Sequence, residues 1–490
     1  HLSNLQGKVQ HLSVRISKEK PVVPDISNLI PGAKIFEREV YDLFGVDFKG
    51  LNEAEKMRLL LPDCYPREAP PPLLKDVKAD TFSKFVGDPM TCTFEAITFS
   101  APLSPESVLI PIGPYHPALK EPEHFSLVVE GERIKKAFVR IGFVHRGIEK
   151  LAESRIYIKD IFLLERICGI CSTHHAWTFV EAVEKLLGFE PPKRAQYIRT
   201  LIAELERLHS HSLWLGLVGY WIGFESMFMW VWRIREIVMD LLEELTGNRV
   251  LKSFITIGGV RKDVENETIL KVSKKVSEFE KQIDDVMERI MATDEFIERT
   301  KEIAKYDIEE ARKFAVVGPV RRAAGDGYDI RKIEPYGAYG DLDFNVITSS
   351  SGDVFNLVLV RLNEIKESIN IIRQIAEKIP SGNPVPQRQF LGMVKEGEAY
   401  ARTEAPRGEL FYYVNSDNTD KPYRVKVRTP TLANIQLAAY LLEGSTLSDF
   451  PVIVTSIDPC FSCMDRVLII DSFSGRSRTV SIHNLKSKRS

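Results

Sequence analysis

Neither sign of charge prevails in this chain: 66 lysines and arginines stand against 68 aspartates and glutamates, a net charge of -2. The balance excludes the strongly basic footprint of a nucleic-acid-binding protein and the acid excess of a disordered chain. Cysteine and histidine are scarce, six and ten in 490 residues, so their placement carries more weight than their number. No internal repeat stands out and no segment is low in complexity. The opening HLSNLQGKVQ has neither a basic n-region nor an apolar h-region, so no secretory leader is expected there and a reducing compartment is.

Long apolar runs are missing but for one. Residues 212–232 (SLWLGLVGYWIGFESMFMWVW) carry a single charge, Glu225, over nearly the roughly 20 residues that span a bilayer. The run continues a charged amphipathic helix in which Ile198, Leu201, Ile202, Leu205 and Leu208 recur between Arg199, Glu204, Glu206 and Arg207. Three glycines and an acid within it suit a helix buried in a large protein. A buried core helix is therefore expected, and no integral membrane span.

What is present is ordinary globular material, 44% hydrophobic, and at about 150 residues per domain the length suggests two or three units. The expected class is α+β: a small N-terminal α/β domain followed by a large, mainly α-helical one. Leu12, Val14 and Ile16 alternate like a half-buried strand, and 33–44 places Ile35, Phe36, Val40, Leu43 and Phe44 on one helical face before Gly45. The proline cluster at 66–72 marks a linker nearby. Beyond it, 161–187 reads as one helix around a cysteine pair. The steps Ile269, Val272, Val276, Phe279, Ile283, Val286 and Ile290 form a seam of a packed hairpin. Residues 354–379 read as a further helix and 423–428 as a strand.

Four of the six cysteines fall into two C-x-x-C pairs, Cys168/Cys171 and Cys460/Cys463. Two such pairs can together make a four-thiolate metal site. Structural zinc sites usually place their pairs about 15–20 residues apart, because the metal is the core of a small local fold. These pairs stand at opposite ends of a large domain that needs no metal staple. Zinc, a soft redox metal (nickel, iron or an iron–sulfur cluster) and independent dithiols all remain open on spacing, since thiolate softness does not choose among them. Gly169 leaves room beside the first pair, and Arg166 and Arg407 offer positive charge if folding brings them there. A buried carboxylate such as Glu121 could relay protons.

The segments ERICGIC at 165–171 and DPCFSCMDR at 458–466 resemble the two cysteine motifs of the large subunit of nickel-iron hydrogenases. Between and before them stand GPYHPALKEP at 113–122, HRGIEKLAE at 145–153, RAQYIRTLIAELERLHSH at 194–211, GGVRKD at 258–263, GPVRRAAG at 318–325 and EAPRG at 404–408, in the order of that family. EREVYDLFGVDFKG at 37–50 and RLLLPD at 58–63 resemble the 30 kDa-type subunit of respiratory complex I. Together they resemble a group 4, energy-converting, membrane-associated hydrogenase of the formate hydrogenlyase type. The implied domains are 1–78 (30 kDa-like), a linker 79–100, 101–466 (hydrogenase large-subunit-like, related to the complex I 49 kDa subunit) and a tail 467–490. The competing resemblance is a quinone- or sulfur-linked electron-transfer subunit without nickel; retention of all four cysteines favours the hydrogenase.

The resemblance implies a role for each site residue. Cys168 and Cys460 would bind nickel terminally, and Cys171 and Cys463 would bridge it to an iron carrying carbon monoxide and cyanide. Cys460 is the favoured proton acceptor, and Glu121 aligns with the proton-gate glutamate beside it. Arg407 aligns with the arginine above the open metal position, with Asp458 orienting it as a bidentate pair does. Glu149 matches a carboxylate that in some relatives holds magnesium or iron near the C-terminal motif, and His175 a histidine near the sulfur of Cys171; His174, His145, His209 and His211 receive no role. Implied partners are a small subunit with a proximal four-iron four-sulfur cluster, ferredoxin-like electron-transfer subunits, antiporter-like membrane subunits, nickel-insertion proteins and a maturation protease that removes 467–490. The implied place is the cytoplasmic face of a membrane. Two departures are Ala324, where many relatives have serine, and Arg466, where most hydrogenases have histidine and group 4 enzymes often have arginine.

Overall fold

Helix α1 (Lys34–Phe44) ends where the sequence predicts, with Gly45 left-handed at φ 70°. It connects two short parallel strands, β1 (Val22–Pro24) and β2 (Asp47–Lys49), as a small crossover. The computed structural model describes residues 2–3, 9–10, 12–51, 58–61, 65, 68–77, 104–387, 390, 392–464, 469–470 and 477–478. The expected linker 79–100 lies outside them, as does the tail 467–490 apart from two short strands. The chain divides into two units, Ser13–Gly147 with Cys460–Ser490, and His1–Leu12 with Ile148–Pro459.

In the first unit, α1 buries Glu37, Glu39 and Asp42 beside Ile35 and Leu43. Asp42 accounts for the RLLLPD motif: one carboxylate oxygen accepts the N–H groups of Leu59, Leu60 and Leu61, and the other pairs with Arg58 at 2.9 Å. The carboxylate thus satisfies three amides of a loop that has no sheet to do so. The alternating residues at 12–16 form no strand. Leu12 is 62% and Val14 75% exposed, because alternation makes a strand only where a neighbouring chain supplies the ladder. The same unit holds an antiparallel meander, β3 (Ser107–Ile112), β4 (His124–Glu130) and β5 (Arg133–Arg140). Central β4 is buried along nearly its whole length.

The second unit begins with α2 (Ile148–Ala152), α3 (Tyr157–Glu165) and α4 (Ser172–Leu187). The single helix expected over 161–187 is interrupted at 166–171, where the chain turns to present the first cysteine pair. The centre is α5 (Lys193–Trp221), packed against α4 and followed by α6 (Glu225–Thr246) in a helical hairpin. The apolar run 212–232 is therefore two helix ends around Gly223 (φ 87°), not one buried helix. Its first half is buried, whereas Tyr220, Met229 and Trp230 at the bend are exposed. No helix among the described residues is long and apolar enough to cross a membrane.

Helix α7 (Asn266–Met291) buries the predicted seam except at one step, where Met287 replaces Val286. A straight helix drifts against a 3.5-residue repeat, and by the third heptad the next residue faces inward. It packs on α6 and on α8 (Val354–Lys378). A three-stranded antiparallel sheet follows, β6 (Gly397–Ala405), β7 (Gly408–Ser416) and β8 (Pro422–Arg428), then α9 (Pro430–Leu442) and α10 (Phe450–Ser456). The class is α+β, as expected.

Candidate metal centre and active site

The first cysteine pair occupies the loop between α3 and α4. Cys168 and Cys171 are buried, and the Sγ of Cys168 accepts the N–H groups of Ile170 and Cys171, each at 3.3 Å. Two donors aimed at one sulfur favour negative charge on it, as a metal-binding thiolate requires. Glu165 anchors the loop through Ser253, accepting its N–H at 2.5 Å and its hydroxyl at 2.8 Å. A Cβ on Gly169 would press on Val250 at 3.2 Å.

The start of α4 is held from across the fold. Glu206 on α5 accepts the N–H groups of Thr173 (2.9 Å) and His174 (3.3 Å), the Ser172 hydroxyl (3.2 Å), His174 Nδ1 (2.7 Å) and Lys252 Nζ (2.8 Å). Burial works to raise its carboxyl, but the Lys252 ammonium and His174 hold it well below the usual range. It supplies the capping carboxylate that α4 lacks in its own sequence. His174, left without a role above, is thus a fixed partner of the loop, and His175 donates to or accepts from the Tyr412 hydroxyl at 2.7 Å. The charges of 199–207, read as a polar face, are all buried. Periodicity could not reveal this, because their partners come from distant segments.

Arg407 sits in the two-residue turn between β6 and β7. Two glycines from separate motifs seat that turn. A Cβ on Gly318 (φ 73°) would lie 2.4 Å from the Arg407 carbonyl oxygen, and one on Gly408 (φ 129°) 2.7 Å from the Gly318 nitrogen. Gly318→Ala should therefore destabilise the protein by more than the about 1 kcal/mol usual for a forced positive φ, with melting temperature as the check. The Arg407 guanidinium donates from Nε to the Asp458 carbonyl at 2.8 Å and from Nη2 to Asp458 Oδ1 at 2.9 Å. Asp458 therefore orients Arg407 with one carboxylate oxygen and its own backbone, not with both carboxylate oxygens.

The other oxygen, Oδ2, faces Arg361 Nη1 at 3.4 Å. Arg361 lies over the Trp214 ring at 4.3 Å and donates to His211 Nδ1 at 3.3 Å; His211 Nε2 then donates to Glu364 at 2.7 Å. Glu364 and Glu404 both accept from Arg322 at 2.7 Å. The interior behind Arg407 is thus a chain of buried ion pairs that motif matching left unassigned. Its one legible signal is the density of arginine and glutamate inside otherwise apolar segments. Arg166 is not part of it: it is exposed and donates to the Phe162 carbonyl at 2.7 Å.

In the other unit, Glu121 closes the loop between β3 and β4. One oxygen accepts the Ser462 N–H at 2.9 Å and the other the Ser462 hydroxyl. Ser462 stands between Cys460 and Cys463, so the carboxylate lies directly against the second cysteine motif, whose backbone Arg146 also binds through the Ser462 carbonyl at 3.2 Å. Cys460 is buried; the side chain of Cys463 lies outside those described.

Glu149 on α2 stands among basic side chains of β8. It accepts from Arg424 at 2.5 Å, Lys426 at 3.3 Å and the Val427 N–H at 3.0 Å. Burial opposes the charge, yet Lys426 and Arg424 lower its carboxyl to about 2. Through these contacts Glu149 tethers α2 to β8. Among the described residues no group of three or more His, Cys, Asp or Glu side chains is arranged to hold a metal ion.

Residues 222–391 and 387–466 match the model of the respiratory-chain NADH dehydrogenase 49 kDa subunit, 1–83 that of its 30 kDa subunit, and 146–216 that of nickel-dependent hydrogenases. The chain is 35% identical to formate hydrogenlyase subunit 5 of Escherichia coli (strain K12), over 96% of its own length and 82% of that protein. It is 38% identical to the carbon monoxide-induced hydrogenase of Rhodospirillum rubrum, over 73% of its length and 99% of that protein. In structure it is similar to a chain of the membrane-bound sulfane sulfur reductase, an archaeal respiratory membrane complex, with a TM-score of 0.70 and 34% identity, covering 75% of this chain and 100% of that one. The chain belongs to the family of group 4, membrane-associated nickel-iron hydrogenase large subunits of the formate hydrogenlyase type, built on the 49 kDa subunit of complex I and carrying a 30 kDa-like N-terminal domain.

Proposed function

We propose that Cys168, Cys171, Cys460 and Cys463 hold a nickel-iron centre and that the chain interconverts protons and hydrogen as the catalytic large subunit of a membrane-associated complex. The observation that carries the reading is the pairing of two complete cysteine motifs with a carboxylate, Glu121, bound at the peptide inside the second. When bound, the centre, with carbon monoxide and cyanide on its iron, supplies the heterolysis of hydrogen. The chain's own residues do the rest. Glu121 holds and passes a proton at its carboxylate beside the Cys460 motif. Arg407 presents a fixed guanidinium whose orientation Asp458 sets and Arg361 supports. Cys168, Cys171 and Cys460 are each buried, which keeps water from the thiolates.

Electrons must leave through partners, because only Cys64 and Cys92 remain outside the two motifs, too few for a cluster relay of the chain's own. A small subunit with a proximal four-iron four-sulfur cluster would take them, and ferredoxin-like and antiporter-like subunits would couple formate, carbon monoxide or ferredoxin oxidation to ion movement at the cytoplasmic face of a membrane. On this reading a maturation protease removes 467–490 after nickel insertion.

The test is metal analysis of the anaerobically purified complex. About one nickel per chain, lost in Cys460→Ser, supports the reading. Zinc without nickel, or no metal in a complex that still transfers electrons, overturns it in favour of a quinone- or sulfur-linked subunit.

A further inference from the structure

The loop that carries Glu121 holds a second acid. Glu123, just before β4, is fully buried at 0% exposure, and neither of its carboxylate oxygens has a hydrogen-bond partner. A buried carboxylate that makes no hydrogen bond is among the costliest groups to bury charged. Its backbone is tightly held: the N–H donates to the Pro114 carbonyl at 3.2 Å, and a Cβ on Gly113 would lie 1.8 Å from the Glu123 carbonyl oxygen.

We infer that Glu123 is the proton-holding partner of Glu121, a neutral carboxylic acid kept behind the gate carboxylate to return the proton that Glu121 gives up. The inference rests on the reading of the cysteine centre given above. Two carboxyls two residues apart are in opposite surroundings: Glu121 accepts two hydrogen bonds from Ser462, and Glu123 accepts none. Such a split separates the acid from the base in a pair.

The groups that bear on Glu123 are Glu121 on its own loop, His124 on β4 and Arg140 on β5. Burial pushes its carboxyl well above the usual range and the Glu121 charge pushes the same way, against the smaller opposite pull of the His124 backbone N–H and of Arg140. The His124 ring does not compete for the proton. Its Nδ1 donates to the Gly113 carbonyl at 3.2 Å, which leaves Nε2 to accept from the Ser126 hydroxyl at 2.9 Å, and burial keeps the ring neutral by lowering its pKa. Arg140 donates to the Leu61 carbonyl at 3.2 Å.

In the step, the O–H bond of Glu123 breaks as an O–H bond forms on the Glu121 carboxylate, directly or through one water. No electrons are exchanged, and the charge left on Glu123 by the transfer draws in water, which returns the proton. A neutral acid has nearly the shape and charge of an amide, so Glu123→Gln should fold and load metal normally.

The experiment uses the whole complex, read by infrared spectroscopy and by exchange of deuterium gas with water protons. Wild type should show the carbonyl stretch of a protonated carboxylic acid at neutral pH, absent from Glu123→Gln. The variant should keep its nickel and lose about 10²-fold in exchange rate, with Glu123→Asp partly restoring it. A missing carbonyl band, or a Glu123→Gln variant that exchanges as fast as wild type, overturns the inference. If the complex holds no nickel, the reading of the centre fails separately. The band then still decides the pairing: Glu121→Gln should shift its titration, and an unshifted band overturns it.

Discussion

Glu121→Gln should lower hydrogen turnover by about 10²–10⁴-fold, the range by which a positioned proton donor contributes, while nickel content stays at the wild-type level. The amide can still accept the Ser462 N–H, so the second cysteine motif keeps its backbone support. It cannot take a proton, and its NH2 group cannot accept from the Ser462 hydroxyl as the carboxylate does. Hydrogen evolution and nickel per chain, measured on one preparation, separate the outcomes. A rate within a few-fold of wild type would place the proton path elsewhere, and loss of nickel would make Glu121 a structural residue of the motif.

The second large effect is on stability. Glu204 on α5 accepts from Arg207 at 3.2 Å, Arg331 at 3.3 Å, Ser368 at 2.6 Å and Tyr339 at 2.5 Å, all fully buried or nearly so. Glu204→Ala should cost about 3–5 kcal/mol, the usual penalty for leaving buried charges uncompensated. A fall in melting temperature without a change in the wild-type far-ultraviolet spectrum at low temperature is the expected result. A melting temperature unchanged within a degree or two would mean the arginines are compensated by water. The same interior predicts acid lability. Burial opposes the charge on Glu204, Glu206 and Glu364, but their cationic neighbours hold all three below the usual carboxylate range. Burial lowers His211 to about 4. In each case the folded state binds fewer protons than the unfolded one, so stability is fully present above the unfolded pKa and declines as pH falls. The decline should begin below about 6.5 from His211 and steepen below about 4.3 from the carboxylates.

Much of the helical architecture was legible because apolar period reports burial directly: α1 and α8 lie within a residue of their predicted limits, and α7 spans its predicted seam. The period could not place the break at 166–171 or the bend at Gly223. There a local demand, for two inward-facing thiols or for a left-handed turn, overrides a continuous apolar pattern. It also misread 12–16, where alternation found no neighbouring strand.

By itself, the sequence determined the cysteine pairs, the order of the motifs around them and hence the family, because those residues are chemically specific at fixed spacing. Which carboxylate does which work was left to the tertiary structure. Glu121 lies against the second cysteine motif, Glu149 is paired with Arg424 and Lys426, Glu206 caps α4, and Glu123 is buried without a hydrogen-bond partner. A glutamate in a sequence is the same residue in all four places. Its protonation, and so its function, follows from the donors and the solvent that folding brings to it or takes away.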